Sequence, residues 1–384
     1  MKNKKILIVV GTRPEAIKLA PVIFSLRARK DATVIVLSTG QHREMLEQAL
    51  GVFGITPDIS LGVMRQGQTL AELTARLIQA LDETMKCESF DIVVGQGDTT
   101  TAFTSALVAF YKKIPFAHVE AGLRTRDMAA PWPEEMNRRL ISPISRWSFA
   151  PTNWSRMNLL SEGIDEKTIF VTGNTVVDAL LWVRKKHSEV NPSMKLLAQR
   201  YGIPTKFEDQ YLSSSESRLI LVTGHRRESF GEGFARICKS ISDLVERHDN
   251  VGVLYPVHLN PSVRNMVYDR LGNNERICLI PPTSYEDFII LMDRSYIILS
   301  DSGGVQEEAP TLGKPLLIMR EVTERPEGVA AGTSVLVGTN TEKILSEVAL
   351  LLADSAEYSR RSGIKNPYGN GNSAENIANI LMGS

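Results

Sequence analysis

The sequence predicts an α/β protein built from two Rossmann-like domains, because short β-branched runs alternate with helical stretches along almost the whole chain. A polar, turn-rich break near the middle separates these runs into two groups of about six, as expected for two doubly wound sheets. The length of 384 residues also favours two domains over one. We therefore expect two parallel sheets, each covered by helices on both faces.

The strand predictions rest on runs that are apolar enough to be buried on both faces of a sheet. In the first half the runs are KILIVVG, TVIVLSTG, DIVVGQG, PFAHVEAG, WSFAP and IFVTG. In the second half they are RLILVTGH, VGVLYPVH, ICLIPP, YIILSDSG, PLLIMR and SVLVG. The break covers residues 188–217 and contains EVNPSM, GIPTKFEDQ and SSSESR. We expect one domain at 1–187 and another at 218–365, joined by this linker.

Composition excludes several classes of protein. Lysine plus arginine and aspartate plus glutamate both number 44, so the chain lacks the basic excess typical of nucleic-acid binders. The three cysteines are far apart, with no metal-ligand spacing, and their odd number forms no disulfide framework. The apolar run after MKNKK is too short for a signal peptide, and no run reaches membrane-spanning length. We expect a reduced, cytoplasmic protein without nucleic-acid or membrane partners.

Charged and glycine-rich segments follow the predicted strands directly. In doubly wound sheets, ligands bind beyond the carboxyl ends of the strands. The segments in the first half are TRPEAIK, QGDTTT and AGLRT, and those in the second half are HRRESFGEG, HLNP and DSGGVQEE. They predict two half-sites, one in each domain, that are expected to face a common cleft.

The segment GTRPEAIK begins a helix with Pro14 in its first turn, where a missing N–H costs little. Arg13 suits an oxyanion there, because a planar guanidinium pairs with phosphate or carboxylate oxygens. Lys18, taken alone, is better explained as a solvated charge. No G-x-G-x-x-G follows this strand, so the sequence does not support nicotinamide chemistry.

Carboxylates follow the later strands of the first half. Asp98, in GQGDTTTA, is explained equally well as a helix cap and as a catalytic group. Glu120, in HVEAGLRT, ends a run that should be buried, so its charge needs a partner or a role. His118 in the same run is predicted to be a satisfied core histidine. Glu134 and Glu135, in PWPEEMNRR, are explained by the helix dipole.

Basic residues dominate the strand ends of the second half. His225, Arg226 and Arg227 in GHRRESFGEG are better explained by a bound anion than by a solvated loop. PVHLNP places His258 in a similar position with a weaker signal, and TERPEG supplies Arg325.

The segment DSGGVQEE combines a glycine-rich helix start with two glutamates. Ser302, Gly303 and Gly304 suit a backbone cradle for a diphosphate. Glu307 and Glu308 lie one turn later, where a carboxylate accepts hydrogen bonds from ribose hydroxyls in nucleotide-binding folds. No Walker motif, H-E-x-x-H or G-x-S-x-G is present. The inventory predicts acid–base chemistry on a phosphorylated substrate, without a metal or another cofactor.

A family resemblance rests on motifs that follow one another in order: GTRPEAIK, QHREML, GDTTT, HVEAGLRT, PWPEE.NR, TGNTVVDAL, GHRRESFG, YPVHLNP, DSGGVQEEAP, GKP and TERPE. Together they resemble the non-hydrolysing UDP-N-acetylglucosamine 2-epimerases, from the first strand to NPYGNG near the end. The resemblance implies the GT-B fold of nucleotide-sugar glycosyltransferases, with residues 366–384 forming a C-terminal helix that packs back on the N-terminal domain. It also implies a cytoplasmic homodimer that converts UDP-GlcNAc to UDP-ManNAc for surface polysaccharides.

Carried over residue by residue, the resemblance implies catalytic roles for Asp98, Glu120, Glu134 and His225. It implies substrate contacts from Arg13, Lys18, Phe288, Ser302, Gly303, Gly304, Glu308 and Arg325. Some members bind a second UDP-GlcNAc as an allosteric activator, through positions that here are Gln41, His42, Gln68, Glu134, Arg226 and His258. Thr283 and Gly67 depart from the family pattern, since some members have glutamine and arginine there.

The mechanism implied by the resemblance is anti elimination of UDP to give 2-acetamidoglucal, followed by syn re-addition. One carboxylate removes the C2 proton and another group supplies it on the opposite face. Four alternatives stay open at this point: a 2-epimerase of a related UDP-sugar, a hydrolysing epimerase that releases ManNAc, a GT-B glycosyltransferase, and a catalytically idle UDP-sugar sensor.

Overall fold

The computed structural model describes residues 3–40, 43–190, 194–214, 216–224 and 231–383. The chain divides into two compact units: unit 1 is Met1–Trp182 together with Tyr368–Ser384, and unit 2 is Val183–Pro367. Each unit contains one parallel sheet with interleaved helices, which confirms the predicted fold class of two Rossmann-like domains. Within the described ranges, no helix is both long enough and apolar enough to cross a membrane.

Unit 1 contains a seven-stranded sheet in the order β3-β2-β1-β4-β5-β6-β7. Its strands are β1 (Lys4–Val10), β2 (Ala32–Ser38), β3 (Ile59–Ser60), β4 (Ile92–Gln96), β5 (Phe116–Val119), β6 (Trp147–Ala150) and β7 (Ile169–Val171). Its helices are α1 (Arg13–Arg27), α2 (Arg43–Val52), α3 (Leu70–Cys87), α4 (Thr100–Tyr111), α5 (Glu134–Ile141), α6 (Asn153–Ser161), the first half of α7 (Thr175–Val190), and α17 (Ser373–Gly383). Strand β1 pairs in parallel with both β2 and β4, so it occupies the centre of the doubly wound arrangement.

Unit 2 contains a six-stranded sheet in the order β10-β9-β8-β11-β12-β13. Its strands are β8 (Arg218–Thr223), β9 (Val251–Pro256), β10 (Ile277–Ile280), β11 (Ile297–Ser300), β12 (Leu316–Ile318) and β13 (Ser334–Leu336). Its helices are α8 (Met194–Tyr201), α9 (Thr205–Phe207), α10 (Glu232–Arg247), α11 (Pro261–Leu271), α12 (Tyr285–Arg294), α13 (Gly303–Glu308), α14 (Pro326–Ala331), α15 (Thr341–Ala353) and α16 (Ser355–Ser362).

Apolar periodicity explains how helices cover the sheets. In α10, Phe234, Ile237, Ile241 and Leu244 recur every three or four residues and are all buried. They join the strands β8 and β9 in one hydrophobic cluster. Burial of this kind contributes about 1.5–3 kcal/mol for each large aliphatic or aromatic side chain. A separate cluster in unit 1 includes Leu7, Leu77 and Ala106, so each unit has its own core.

Each run predicted as a strand forms a strand in the structure. The additional strand β3 consists of only two residues, and so short an element has no periodic pattern for the sequence to display. The sheet of unit 1 therefore has one strand more than the predicted group of about six.

The segment 188–217, predicted as a linker, differs from that prediction in its described residues. It contains α8 and α9, and it belongs to unit 2. Phe207 and Tyr211 are buried, and Tyr201 Oη donates a hydrogen bond of 2.7 Å to Asp287 Oδ2. The polar, turn-rich composition conceals these few anchoring side chains. The units divide between Trp182 and Val183, inside α7, rather than after residue 187.

The chain returns to unit 1 at Tyr368 and ends in α17. This helix packs against α1, and its Ile377, Ala378 and Leu381 are buried. Lys4 Nζ donates a hydrogen bond of 2.9 Å to the carbonyl oxygen of Leu381. The C-terminal residues therefore complete unit 1.

The strand order reverses between β1 and β4 in unit 1, and between β8 and β11 in unit 2. At such switch points the loops leave neighbouring strands in opposite directions, and a crevice opens beyond the carboxyl ends of the strands. The segments that follow β1, β4 and β5, and those that follow β8 and β11, therefore carry the candidate sites.

Candidate active site

Glu120 follows β5 directly and forms the centre of the half-site in unit 1. Its side chain is buried, and its two carboxylate oxygens lie 2.7 and 2.8 Å from Lys18 Nζ. The backbone of Glu120 is left-handed, with φ of +65°. A non-glycine residue in this region costs about 1–3 kcal/mol and persists only where its surroundings hold it. The expectation that a buried carboxylate needs a partner is confirmed.

Lys18 lies on α1, 102 residues before its partner. The interpretation of Lys18 as a solvated charge is wrong, because its side chain is buried and ion-paired. Two more donors reach Glu120: Gln96 Nε2, at the end of β4, donates to Oε2, and Asn174 Nδ2 lies 3.3 Å from Oε1. Strands β1, β4 and β5 are neighbours in the sheet, so segments distant in sequence meet at one carboxylate.

Asp98 lies just after β4 and is partly buried. Its Oδ2 accepts a hydrogen bond of 2.7 Å from Arg138 Nη2, and its carbonyl oxygen accepts one of 2.8 Å from Asn137 Nδ2. The neighbouring Thr99, rather than Asp98, caps α4, since its hydroxyl accepts the N–H of Ala102 at 3.1 Å. The carboxylate of Asp98 therefore pairs with a buried guanidinium and does not cap the helix.

The adjacent glutamates of PWPEE have different environments. Glu134, the first residue of α5, is partly buried, whereas Glu135 is fully buried. Glu135 accepts hydrogen bonds from the N–H groups of Thr125 and Arg126, at 3.0 and 3.2 Å, and pairs with Arg138 at 3.3 Å. The helix dipole alone does not explain Glu135, because a buried carboxylate also needs these hydrogen bonds. Through Arg138 it supports Asp98.

Glu15, in the first turn of α1, is a buried carboxyl. It accepts hydrogen bonds from the N–H groups of Gly11 and Thr12, at 2.9 and 2.6 Å, and from the hydroxyl of Thr99 at 2.5 Å. Burial raises the pKa of Glu15 to about 7, although these hydrogen bonds act in the opposite direction. Glu15 therefore links the loop after β1 to the loop that carries Asp98.

His118 lies inside β5 and is completely buried. Its Nε2 lies 2.7 Å from the carbonyl oxygen of Gly97, and its Nδ1 has no hydrogen-bond partner among the described residues. Burial lowers the pKa of His118 to about 4, with smaller contributions in the same direction from Arg124 and Arg138. The imidazole is a neutral core group, and the prediction of full satisfaction holds for only one of its nitrogens.

Arg325 organises the half-site of unit 2. Its Nε donates to Glu307 Oε1 at 2.6 Å, and its Nη1 lies 3.2 Å from Glu324 Oε2. Its guanidinium lies against Gly303, at the start of α13, which Ser302 precedes as N-cap. The structure thus brings Arg325 together with the predicted Ser-Gly-Gly segment.

Glu308 lies at the end of α13 and is buried. Its Oε1 accepts a hydrogen bond of 2.7 Å from the hydroxyl of Tyr285, the first residue of α12. Phe288 lies one turn further along α12 and is partly buried. Helix α12 therefore contacts the end of α13 through Tyr285. Thr283 is buried, and its hydroxyl has no hydrogen-bond partner among the described residues.

The remaining predicted residues with described positions are Arg13, Gln68 and His258. Arg13 is the first residue of α1 and is partly buried, and His258 is exposed after β9. Gln68 is used locally: its Oε1 accepts hydrogen bonds from the N–H of Arg65 and from Arg76. Five predicted residues lie outside the described residues: Gln41, His42, His225, Arg226 and Arg227.

The chemistry available in the two half-sites follows from these contacts. Unit 1 offers partly or fully buried carboxylates that are suited to moving protons, and those of Asp98 and Glu120 are each paired with a cation. Unit 2 offers the guanidinium of Arg325 and the backbone N–H groups of the Ser302–Gly304 segment, and both suit an oxyanion. Across the described ranges, no cluster of three His, Cys, Asp or Glu residues is arranged to hold a metal ion.

Comparison with known proteins identifies the family. The family model described as UDP-N-acetylglucosamine 2-epimerase matches residues 25–382. A UDP-N-acetylglucosamine 2-epimerase of Salmonella typhimurium strain LT2 is 48% identical over 377 residues, which make up 98% of each chain. The chain belongs to the UDP-N-acetylglucosamine 2-epimerase family.

Solved structures of the epimerase family share the fold. The UDP-GlcNAc 2-epimerase of Neisseria meningitidis, bound to UDP-GlcNAc, is 45% identical and has a TM-score of 0.89 over 99% of this chain and 100% of that one. The enzyme of Methanocaldococcus jannaschii, in complex with UDP-GlcNAc and UDP, is 35% identical with a TM-score of 0.79 over 99% and 100%. Both similarities extend over both units of this epimerase family member.

Sequence analysis of this epimerase family member missed several residues that contact the predicted ones: Gln96, Arg138, Asn174 and Tyr285. Gln96 ends a strand beside predicted site residues, and Asn174 lies in the motif TGNTVVDAL, so both had a sequence signal. Arg138 ends the motif PWPEE.NR, so it had a sequence signal as well. Tyr285 begins a helix outside the motifs, and no local pattern distinguishes it.

Proposed function

We propose that this protein interconverts UDP-GlcNAc and UDP-ManNAc by inverting C2 of the sugar without hydrolysis. The observation that carries the proposal is the buried carboxylate of Glu120, held in a left-handed backbone conformation by Lys18 and Gln96. Strain of this kind concentrates at functional sites. Membership of the family supports the substrate, since its relatives are named as UDP-N-acetylglucosamine 2-epimerases and one of them was crystallised with UDP-GlcNAc.

The proposed reaction couples loss of the C2 proton to departure of UDP. This proton is not next to a carbonyl group, so its removal alone would be slow. A base takes it while the C1–O bond breaks; the C–H electrons form the C1=C2 double bond, and UDP leaves with the C1–O electrons. Anti elimination gives 2-acetamidoglucal and UDP. Syn re-addition of a UDP oxygen to C1, with a proton delivered to the other face of C2, gives the epimer.

In the proposed mechanism, the residues of unit 1 act on the sugar. Asp98, Glu120 and Glu134 supply the general base and the general acid, together with His225. A positioned general acid or base contributes about 10²–10⁴-fold to the rate. The contacts of Asp98 with Arg138 and of Glu120 with Lys18 support these roles, because they hold both carboxylates in defined orientations.

In the same proposal, the residues of unit 2 hold UDP. Arg325 and the backbone N–H groups of the Ser302–Gly304 segment bind the diphosphate and stabilise the charge that develops on the leaving group. Arg13, which belongs to unit 1, lies near the sugar in this proposal. Glu308 accepts hydrogen bonds from the ribose, and Phe288 packs against the uracil. The position of the Arg325 guanidinium against Gly303, at the start of α13, supports this assignment.

Other expectations from the resemblance stay predictions. They are the homodimer, the cytoplasmic location, the role in surface polysaccharide synthesis, and activation by a second UDP-GlcNAc molecule. The predicted activator positions are Gln41, His42, Gln68, Glu134, Arg226 and His258. The proposal requires no metal and no nicotinamide.

The test is incubation of the purified protein with UDP-GlcNAc in D₂O, without nicotinamide or an acceptor. NMR of the sugar C2 position should show solvent deuterium in both epimers. Chromatography after long incubation should show small amounts of free UDP and 2-acetamidoglucal, because the intermediate is two separate molecules. Glu120→Gln, which preserves the size of the side chain, serves as the inactive control.

Four results would contradict the proposal. Epimerisation with retention of the original C2 hydrogen excludes the elimination mechanism. Free ManNAc as the main product indicates a hydrolysing epimerase. Reaction only after an acceptor is added indicates a glycosyltransferase, and binding without any reaction indicates a sensor. A panel of related UDP-sugars in the same assay establishes the preferred substrate.

A further inference from the structure

We propose that Asn174 is a positioning residue, through which the C-terminal segment 368–374 orients the carboxylate of Glu120. The proposal rests on the function proposed above. Asn174 lies between β7 and α7 and is buried. Its backbone N–H donates a hydrogen bond of 2.6 Å to the carbonyl oxygen of Tyr368, while its side-chain Nδ2 lies 3.3 Å from Glu120 Oε1. One residue thus joins the returning chain to a proposed catalytic group.

The side-chain amide of Asn174 has a defined orientation. Its Oδ1 accepts a hydrogen bond of 3.1 Å from the N–H of Val176, in the first turn of α7. Because Oδ1 must accept there, Nδ2 is the atom that faces Glu120 and donates to it. The backbone and the side chain of Asn174 therefore both have fixed partners, and the donor is aimed at the carboxylate before any substrate binds.

Gly173 shows how closely the C-terminal segment approaches. Its φ is +89°, and a Cβ atom built on it would lie 2.5 Å from Ser373 Oγ and 3.3 Å from the Tyr368 carbonyl oxygen. The first of these distances is shorter than real Cβ contacts. Only glycine permits the Tyr368 carbonyl to reach the N–H of Asn174.

The other end of the segment is fastened by Asp178. Its Oδ1 accepts a hydrogen bond of 2.9 Å from the N–H of Ala374, in the first turn of α17. The motif TGNTVVDAL therefore has a structural explanation. Its glycine and its aspartate contact the C-terminal segment, and its asparagine contacts both that segment and Glu120.

Glu120 depends on such support because its backbone conformation is unfavourable. Its Oε1 accepts from Lys18 and Asn174, and its Oε2 accepts from Lys18 and Gln96. Without Asn174, Oε1 loses its amide donor, and the carboxylate is held less firmly in the orientation needed for proton transfer. Small errors in that orientation are costly.

The test compares Asn174→Ala and Asn174→Asp with Thr172→Val. Thr172 is buried in the same loop, and its hydroxyl contacts the carbonyl oxygen of Gly173 rather than Glu120. We expect kcat to fall about 10- to 100-fold in Asn174→Ala, the range for a lost hydrogen bond to a charged group. The loss should be larger in Asn174→Asp, because two carboxylates would then face each other.

Three readouts distinguish positioning from general damage. UDP affinity by calorimetry should stay near the wild-type value in Asn174→Asp, which is isosteric. The acidic limb of its kcat–pH profile should move to higher pH, because a second negative charge favours proton uptake. Thr172→Val should keep wild-type kcat.

Retention of more than half of wild-type kcat in both Asn174 variants would overturn the positioning role. So would an equal loss of kcat in Thr172→Val, or a kcat–pH profile that does not move in Asn174→Asp. A wild-type protein that does not epimerise UDP-GlcNAc would instead remove the proposed function, so the two failures are distinct.

Discussion

The guanidinium of Arg325 occupies the space that a side chain on Gly303 would need. A Cβ atom at Gly303 would lie 2.7 Å from Nη1 and 2.8 Å from Cζ of Arg325. The arginine cannot simply retreat, because Glu307 and Glu324 hold it through Nε and Nη1. The glycine is thus required by the buried arginine, and this relationship is tested by substitution.

Gly303→Ala should displace Arg325 and weaken the binding of UDP. A hydrogen bond to a charged group contributes roughly 1.5–3 kcal/mol, so the Kd should rise about 10- to 100-fold, as it should in Arg325→Ala. Gly304→Ala is the matched control, because its Cβ would lie 3.8 Å from its nearest neighbour, Glu308 Oε2. Isothermal titration calorimetry with UDP measures all three. If Gly303→Ala and Gly304→Ala raised the Kd for UDP equally, the prediction that Arg325 binds UDP would be contradicted.

Asp98→Asn and Glu120→Gln should each lower kcat by about 10²–10⁴-fold, because each removes a proposed general acid or base. UDP affinity should persist, since the proposed UDP contacts lie in unit 2. Glu72→Gln is the control, because Glu72 is a helix-capping carboxylate in the same unit. Steady-state kinetics and calorimetry provide the two readouts. If a variant keeps more than half of wild-type kcat, the residue that it replaces has no catalytic role.

Arg138→Met should destabilise the protein, because it removes the nearer of the two guanidinium groups that pair with the buried Glu135; the other, Arg139, lies 3.9 Å away. Breaking a buried ion pair from one side costs about 3–5 kcal/mol. The double variant Glu135→Gln/Arg138→Met should recover part of that loss, since the unpaired charge is gone. Urea unfolding of the wild type, both single variants and the double variant gives the coupling. Strictly additive losses would show that the pair does not interact.

His118 should make the folded protein sensitive to acid. Burial holds its pKa at about 4, below its ordinary value of 6.5, so the unfolded chain binds this proton first as the pH falls. The stability contribution is therefore present above pH 6.5 and is lost as the pH falls toward 4. Between pH 7 and pH 4.5 this amounts to about 2 kcal/mol.

The measurement for His118 is the free energy of unfolding of the wild type and of His118→Gln at both pH values. Glutamine still donates to the Gly97 carbonyl oxygen but does not titrate. The comparison of variants also cancels Glu15, whose raised pKa acts in the opposite sense and favours the folded state as the pH falls from about 7. An equal pH dependence in the wild type and the variant would show that His118 takes up its proton equally in both states.

Local patterns were sufficient to predict the strands and the strand-end loops. Strand runs such as KILIVVG carry their own signal, because a buried parallel strand must be apolar on both faces. Ligands of such sheets bind beyond the carboxyl ends of the strands, and this rule predicted Asp98, Glu120 and the Ser302–Gly304 segment as candidate site residues. The segment 188–217 did not follow this logic, because a few buried side chains within polar surroundings leave no periodic pattern.

The sequence by itself determined the fold class and which loops carry the candidate sites, because burial and turn formation act on neighbouring residues. Only the tertiary structure decided which charges meet. Lys18 and Glu120 are 102 residues apart and pair because β1, β4 and β5 are adjacent in the sheet. Glu135 rather than Glu134 is the buried member of its pair because α5 turns that face toward the N–H groups of its own loop. Partner choice depends on distances in space, and no local pattern encodes those distances.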